Sequence, residues 1–205
     1  MILKYRKFKI SDETLLAEII RDTWGYNRLS KNPEVALLMG KIYLYSCLCS
    51  QNYNLVAEEK GKPVGIIMGN SHKKPEKLNL IYRLKQLYYY TKMKRYKEGE
   101  FILNLFKGFE RLDNEMLKEI GKSYDGELVF FVTDEAIRGQ HVGTGLYRSL
   151  VEEFKANSSK LIYVYTDDSC NYGFYEHQGF KRINERKQVV YNHHFQFYVY
   201  EKELI

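Results

Sequence analysis

The residues with the clearest chemical potential in this 205-residue chain sit in one stretch: Phe131-Val132-Thr133-Asp134-Glu135-Ala136-Ile137-Arg138-Gly139-Gln140-His141-Val142-Gly143-Thr144-Gly145-Leu146. An apolar strand pattern runs into a loop containing glycine, and the loop opens a helix pattern. At a helix start the first amides have no internal partner, and the helix dipole is positive there. Glycines let a phosphate approach those amides closely, so the stretch reads as an anion site. It has neither the Gly-x-x-x-x-Gly-Lys-Ser/Thr of a P-loop nor the Gly-x-Gly-x-x-Gly that follows the first strand of a dinucleotide-binding unit. A strand-to-helix turn that needs small residues accounts for the same pattern. The loop alone leaves the two readings level.

Other reactive side chains point to less. Cys47 and Cys49 are two apart, so on a helix they face different directions and make a poor metal pair. His193-His194 has no Cys or carboxylate at ligand spacing, and His72 is isolated, so no metal is expected. Three cysteines in a chain of this length do not suggest a disulfide framework.

Periodicity supplies the elements that must carry the loop. Leu3 to Ile10 alternates as a strand, and Ser11 is placed to cap a helix with Asp12 and Glu13 in its first turn. Leu15, Leu16, Ile19, Ile20 and Trp24 predict one apolar stripe, and Asn32-Pro33 starts a second helix. Residues 54–59 and 63–69 read as a hairpin turned at Lys60-Gly61-Lys62. Residues 71–124 read as mostly helical, with spacings such as Leu80, Leu84, Leu87 and Leu112, Met116, Ile120. A buried strand follows from Gly126, then a helix at 142–157, a strand at 161–166 and a short helix near 171–177. Two last strands, near 182–191 and 194–202, turn at Asn192-His193. Strand–helix–strand order in the second half implies parallel pairing, whereas the hairpins are antiparallel. The expected fold class is α/β (α+β, mixed sheet), one domain over 1–205 carrying a helical insertion at 71–124.

Composition bounds the function. The chain is 44% hydrophobic and 28% charged, which excludes wholesale disorder, and its 19 Tyr and 11 Phe predict ring-rich packing. Lys4, Arg6 and Lys7 stand where a signal peptide would build its apolar core, and no apolar run approaches the roughly 20 residues of a membrane span. A cytoplasmic location with reduced thiols is the expectation. The formal charge of +6 is uneven: residues 73–97 hold nine basic residues against Glu76 alone, leaving −2 for the rest. With Tyr82, Tyr88, Tyr89, Tyr90 and Tyr96 interleaved, that block admits nucleic-acid binding as a rival reading, though a solvated helix face explains it as well.

The glycine loop resembles motif A of the GNAT superfamily, the acyl-CoA-dependent N-acetyltransferases. Their pattern Arg/Gln-x-x-Gly-x-Gly/Ala falls on Arg138-Gly139-Gln140-His141-Val142-Gly143, with Leu146 three residues after the last Gly. His141 departs from it, since Gly is usual there. A second register, Gln140-x-x-Gly143-x-Gly145, misplaces the Leu, so the first is preferred. Downstream, Phe174-Tyr175-Glu176-His177-Gln178-Gly179-Phe180 resembles the family's Tyr-x-x-x-Gly-Phe signature. Where the family often has Asn, seven residues before that Tyr, stands Asp168, with Asn171 four before.

The resemblance implies a GNAT-like fold along essentially the whole chain apart from 71–124. It implies acetyl-CoA as donor and a primary amine as acceptor, either a small molecule or a protein N-terminus or Lys. The cofactor-binding residues it implies are Arg138, Gly139, Gln140, His141, Val142, Gly143, Thr144 and Gly145. Amides of Gln140 to Gly145 would take the pyrophosphate, and His141 could itself face a phosphate. The strand edge at Phe131, Val132 and Thr133 would pair with pantetheine, and Asp168 and Asn171 are the candidate side contacts. Tyr175 matches the family's general acid, and a phenol near pKa 10 suits protonation of a departing thiolate. Glu127 matches a position that some members use as base. Glu58 and Glu59 are weaker candidates, and a water relay is an equal alternative. The family transfers directly, so Cys170 is not expected to act as a nucleophile. The insertion is expected to form part of the acceptor pocket, a lid or a subunit contact, and a homodimer is left open. A domain that binds acyl-CoA without turnover, or that binds nucleic acid, is the alternative.

Overall fold

A computed structural model describes residues 3–75, 79–190 and 193–204. Glu76 and Lys77 of the basic block, and Asn192 of the last expected turn, lie outside the described residues. The hairpin at Lys60-Gly61 shows how directly local chemistry sets an element. Both residues are left-handed, at φ 49° and 82°, which is the two-residue turn whose twist matches that of antiparallel strands. It joins β2 (Tyr53–Glu59) to β3 (Lys62–Ser71). With β1 (Leu3–Arg6), β4 (Gly126–Thr133), β5 (Leu161–Asp167), β6 (Lys181–Val190) and β7 (His193–Glu203), these form one seven-stranded mixed sheet in the order β1-β2-β3-β4-β5-β7-β6. Only β4 and β5 are parallel.

Two helical layers cover the sheet. On one face lie α1 (Glu13–Thr23), α2 (Tyr26–Leu29) and α3 (Pro33–Cys49), packed through Leu16, Ile20 and Met39 on Val56, Ile66, Met68 and Phe130. On the other lies α6 (Val142–Ala156), whose Leu146, Leu150 and Phe154 meet Ile67, Leu128, Ile162 and Val164. Between β3 and β4 come α4 (Leu80–Met93) and α5 (Gly99–Ile120). Leu112 and Met116 of α5 pack on Tyr163, Phe197 and Val199. Side chains alternate along a strand, so α5 and α6 cover opposite faces of β5. Among the described residues no helix is long and apolar enough to cross a membrane.

Several local expectations change. Ser11 is not the cap: Ile10–Asp12 is a single 3-10 turn, closed by Asp12 Oδ2 accepting from the Lys9 amide at 2.9 Å. Arg6 holds that carboxylate in place, its Nη1 2.7 Å from Oδ2. Leu15 turns outward and Glu13 turns in. Asn32 does cap α3, its Oδ1 accepting from Glu34 N at 3.0 Å with Pro33 at the first helical position. The Leu80, Leu84, Leu87 stripe faces solvent, while Tyr89 and Met93 face the core.

Glu13 ties α4 to the rest. Its carboxylate accepts from Tyr45 Oη at 2.7 Å, from the Tyr89 hydroxyl, from Lys41 Nζ at 3.1 Å and from Lys85 Nζ at 3.0 Å. Burial pushes the Glu13 pKa up, but these four donors outweigh it and hold it at about 2. A depressed carboxylate contributes stability that is present above its unfolded pKa near 4.5 and lost as pH falls through about 2. We expect Glu13→Gln to cost about 2–3 kcal/mol in urea unfolding at pH 7, because two lysines lose their counter-charge. Its stability profile between pH 4.5 and 2 should be flatter than that of wild type.

Candidate active site

The site is built where two neighbouring strands part. Asp125 accepts from the amides of Lys160 and Leu161 at 2.8 and 3.1 Å and donates its own amide to the Leu161 carbonyl at 2.8 Å. This locks the start of β5 against β4. The pair then continues for two positions only, Gly126 with Ile162 and Glu127 with Tyr163. Directly beyond, the β3–β4 register shifts between Met68 and Gly69, which leaves Val129 as an extra residue on β4. A bulge bends its strand. From Leu128 to Thr133, β4 is paired on its β3 side and open on its β5 side.

The glycine loop stands at the far end of that open edge. After a 3-10 turn at Glu135–Ile137, Gly139 and His141 both take left-handed φ, 78° and 58°. His141 is the N-cap residue of α6. Its position explains why glycine would be usual there, since any other residue carries a cost of about 1–2 kcal/mol in that conformation. Gly145 already donates to the His141 carbonyl at 3.0 Å, and Gln140 to the Ile137 carbonyl at 3.3 Å. The expected run of free amides therefore narrows to the turn around Val142, Gly143 and Thr144, whose N–H groups have no carbonyl four residues back inside the helix. A Cβ at Gly143 would stand 3.2 Å from the Phe131 ring, so the missing side chain brings the helix start against the strand edge.

The remaining expected residues are distributed as follows. Phe131 is half-buried, its ring 5.2 Å from Phe174, whereas Val132 points into the opposite core and offers only backbone to the edge. Thr133 is half-buried beside Gly143. Arg138 is exposed and paired with Glu135 at 2.8 Å. Asp168 is engaged elsewhere: its amide donates to the Gln196 carbonyl at 3.0 Å and its Oδ1 accepts from the Gln196 amide at 3.1 Å. Asn171 is exposed at the entry to α7 (Gly173–His177). Glu58 pairs with Arg6 at 2.5 Å on β2.

Tyr175, on α7, is buried among Phe174, Phe180 and Tyr200. Its hydroxyl makes no hydrogen bond among the described residues. Gln51 Oε1 is the one side-chain polar atom among them that is both sealed from solvent and unpartnered. The Tyr175 hydroxyl, unpartnered but not sealed, therefore opens onto space that water can reach. Burial pushes its pKa up, with Cys170 and Asp167 adding to the shift. Glu127 accepts from Tyr163 Oη at 3.1 Å. Burial raises its pKa too, against the lowering effects of that bond and of His72. Cys170 is pushed up to about 12, chiefly by burial, which keeps it a thiol.

A family model for the acetyltransferase (GNAT) family matches residues 15–180. The chain belongs to this family. Solved structures agree in fold across the whole GNAT chain. An N-acetyltransferase from Staphylococcus aureus Mu50 is 17% identical with TM-score 0.58, covering 100% of both chains. The ribosomal-protein-S18-alanine N-acetyltransferase of Escherichia coli is 11% identical with TM-score 0.55, covering 99% of this chain and 94% of its own. Salmonella typhimurium yncA, solved with its cofactor acetyl-CoA, is 13% identical with TM-score 0.54, covering 100% and 95%. A search of curated proteins found no match.

The GNAT chain also holds candidate site residues that its sequence did not single out. Phe106, Phe109, Leu112, Asp113, Met116, Leu117 and Ile120 recur at three- and four-residue steps and are buried or half-buried, forming the inward stripe of α5. Asp113 is the acid in the middle of it. On β5, Tyr163, Tyr165 and Asp167 share one face by alternation. Burial raises the Asp113 pKa to about 8, and Glu127, Asp167 and Glu110 reinforce the shift. Burial also raises Asp167, against hydrogen bonds from Ser169. A charged residue on an otherwise apolar helical stripe was the available signal for Asp113. A cleft of about 490 Å³ between α4 and α5, lined by Arg83, Lys94 and Lys107 among others, shares no residue with this cluster.

Two outcomes follow from this geometry. His141→Gly should keep full stability, while His141→Val, which resists left-handed φ, should lose about 1–2 kcal/mol in urea unfolding. Asp113 ionises near 3.8 when unfolded and near 8 when folded, so it lowers stability progressively as pH rises between those values. Asp113→Asn should therefore raise Tm by on the order of 5 °C at pH 8.5 and leave it unchanged at pH 3.5.

Proposed function

We propose that this GNAT protein is an N-acetyltransferase that moves the acetyl group of acetyl-CoA directly to a primary amine. The observation that carries the reading is one juxtaposition: the open edge of β4, the amide turn at the start of α6, and the unpartnered Tyr175 hydroxyl. The turn at Val142–Thr144 would accept the pyrophosphate on backbone amides, with His141 and Arg138 beside it. The β4 edge from Leu128 to Thr133 presents backbone groups to an amide-bearing arm, which would lie in the opening between the two strands. Asn171 is available at the mouth of that opening, whereas Asp168 is spent on β7 and becomes the weaker of the two contacts.

The chemistry then assigns roles. The amine nitrogen forms a bond to the thioester carbonyl carbon as the carbon–sulfur bond breaks. Tyr175, kept in its phenol form by burial, gives its proton to the departing sulfur and is reprotonated from water. Glu127 accepts the proton that the acceptor nitrogen must lose. Its raised pKa makes it a stronger base than a solvated carboxylate. The Tyr163 hydroxyl holds it in place.

The test is release of free thiol from acetyl-CoA over a panel of amines. Tyr175→Phe should lower kcat by roughly 10²-fold or more, the range of a lost general acid, with KM for acetyl-CoA little changed. It should not lower Tm, because the hydroxyl holds no bond in the fold. An unchanged kcat would remove Tyr175 as proton donor. Saturable acetyl-CoA binding without thiol release on any amine would favour a binding protein.

A further inference from the structure

Resting on the acetyl-transfer reading, we infer that the acceptor is a linear aliphatic di- or polyamine. Its extra ammonium groups would be held by Asp113 and Asp167, beneath α5 at the parting of β4 and β5, with the base Glu127 beside them. Elsewhere in the fold many shielded acids have cationic partners: Asp12 and Glu58 with Arg6, Glu13 with Lys41 and Lys85, Asp125 with Lys73, Glu153 with Lys74, and Glu201 with Lys122. Asp113, Asp167 and Glu127 are at least half-buried, come from three different elements, and have no Lys, Arg or His ion pair among the described residues. Asp113 has no hydrogen bond there either. Burying a carboxylate without a cation is costly, and burial raises the pKa of all three of these acids.

A second observation points to a ligand. Tyr26 is only 5% exposed, yet its hydroxyl has no hydrogen-bond partner among the described residues. Its ring packs beside Phe106, which stands on α5 seven residues, two helical turns, before Asp113. The Tyr26 hydroxyl too is absent from the sealed atoms, so it borders an opening rather than packed carbon. The walls around it are aromatic. Phe106 of α5 lies 6.0 Å from the Tyr26 ring and 6.4 Å from Tyr43, and Tyr163 lies 5.3 Å from Tyr165. Rings of this kind attract organic cations.

The chemistry of the reaction selects among cations. A metal ion is a poor fit, because no three His, Cys, Asp or Glu residues among those described converge closely enough to hold one. A monoamine is also a poor fit: the attacking nitrogen must be neutral, so a monoamine brings no charge to the carboxylates at the moment of reaction. A diamine or longer homologue attacks with one neutral nitrogen and keeps the others protonated. Carboxylates carried on three elements beside aromatic rings match charges spread along a flexible chain.

The experiment compares 1,4-diaminobutane, spermidine, n-butylamine, kanamycin and a short peptide with a free N-terminus. It uses thiol release from acetyl-CoA together with calorimetric binding of each amine to the protein alone. The expected result is a kcat/KM for the diamine or spermidine at least 10²-fold above n-butylamine. Asp113→Asn and Asp167→Asn should each cut that preference at least tenfold, and each should weaken calorimetric diamine binding at least tenfold. Binding that depends on Asp113, without turnover on any amine, would uphold the cation site and sink the transfer reading. Turnover on n-butylamine, kanamycin or the peptide with no diamine preference would uphold transfer and overturn the cation site. Neither binding nor turnover would overturn both. Asp113→Asn is expected to be the more stable protein, so misfolding does not obscure the result.

Discussion

Everything proposed for the site depends on one carboxylate that fixes where a short parallel strand pair begins. Asp125 takes both amides at the start of β5 and gives its own to the Leu161 carbonyl, so β4 and β5 begin in fixed register. Lys73 at 2.7 Å and the two amides hold its pKa down to about 2, so the clamp is charged at any physiological pH. Four residues later the bulge at Val129 turns β4 away. A clamp followed by a bulge forms a wedge with a closed end and an open end. Glu127 and Tyr163 occupy the last paired position, at its vertex. The Phe131–Phe174 contact lies towards the mouth. Without the clamp the strands would be free to slide. Without the bulge they would pair to their ends and leave no edge to offer.

The wedge also reverses what the net charge suggested. The surplus of +6 resides in residues 73–97, yet much of that block faces acids of the surrounding fold. Lys73, Lys74, Lys85 and Lys92 pair with Asp125, Glu153, Glu13 and Glu34. Its lysines hold α4 and the preceding segment in place before they offer anything to an outside partner, which weakens the nucleic-acid reading. The interior of the site is negative within a positive protein. A basic exterior does not attract polycations, so their binding would rest on the local field of the three carboxylates in a medium less polar than water.

The sequence made the backbone of this arrangement legible and left its polar interior hidden. The strand from Gly126, the glycine loop and the helix from Val142 were readable because strand alternation, helix periodicity and turn chemistry are local properties. Tyr175 was readable only through resemblance, since nothing local distinguishes it among 19 tyrosines. Ser11 failed as a cap because Asp12 was drawn into the Arg6 ion pair, a contact made in three dimensions. Leu80, Leu84 and Leu87 were read as a helical stripe, correctly, but periodicity does not say which way a stripe faces. Glu13 won the inward position on that side by gathering four donors from α3 and α4. Asp113 and Asp167 were missed for a related reason. Each is an ordinary acid on its own element, and their meaning appears only when α5 is laid over β5.

That placement bears on how α5 works. Two helices inserted between neighbouring strands invite the idea of a lid, yet α5 is fastened at both ends. Near its start, Glu98 accepts from the Ser30 hydroxyl at 3.0 Å, and Gly99 has no side chain because the Met93 carbonyl takes the space. Near its end, Asn184 donates to the Met116 carbonyl at 3.0 Å, and Arg186 pairs with Glu115 at 3.1 Å and with Glu119. A hinged lid would need at least one of these ends to be free to move relative to the sheet. With both anchored, α5 is a fixed wall and Asp113 is an acid held at a fixed place on it. An acceptor would then enter along the passage between the strands rather than beneath a rising helix, which favours a narrow, flexible chain over a rigid or bulky amine.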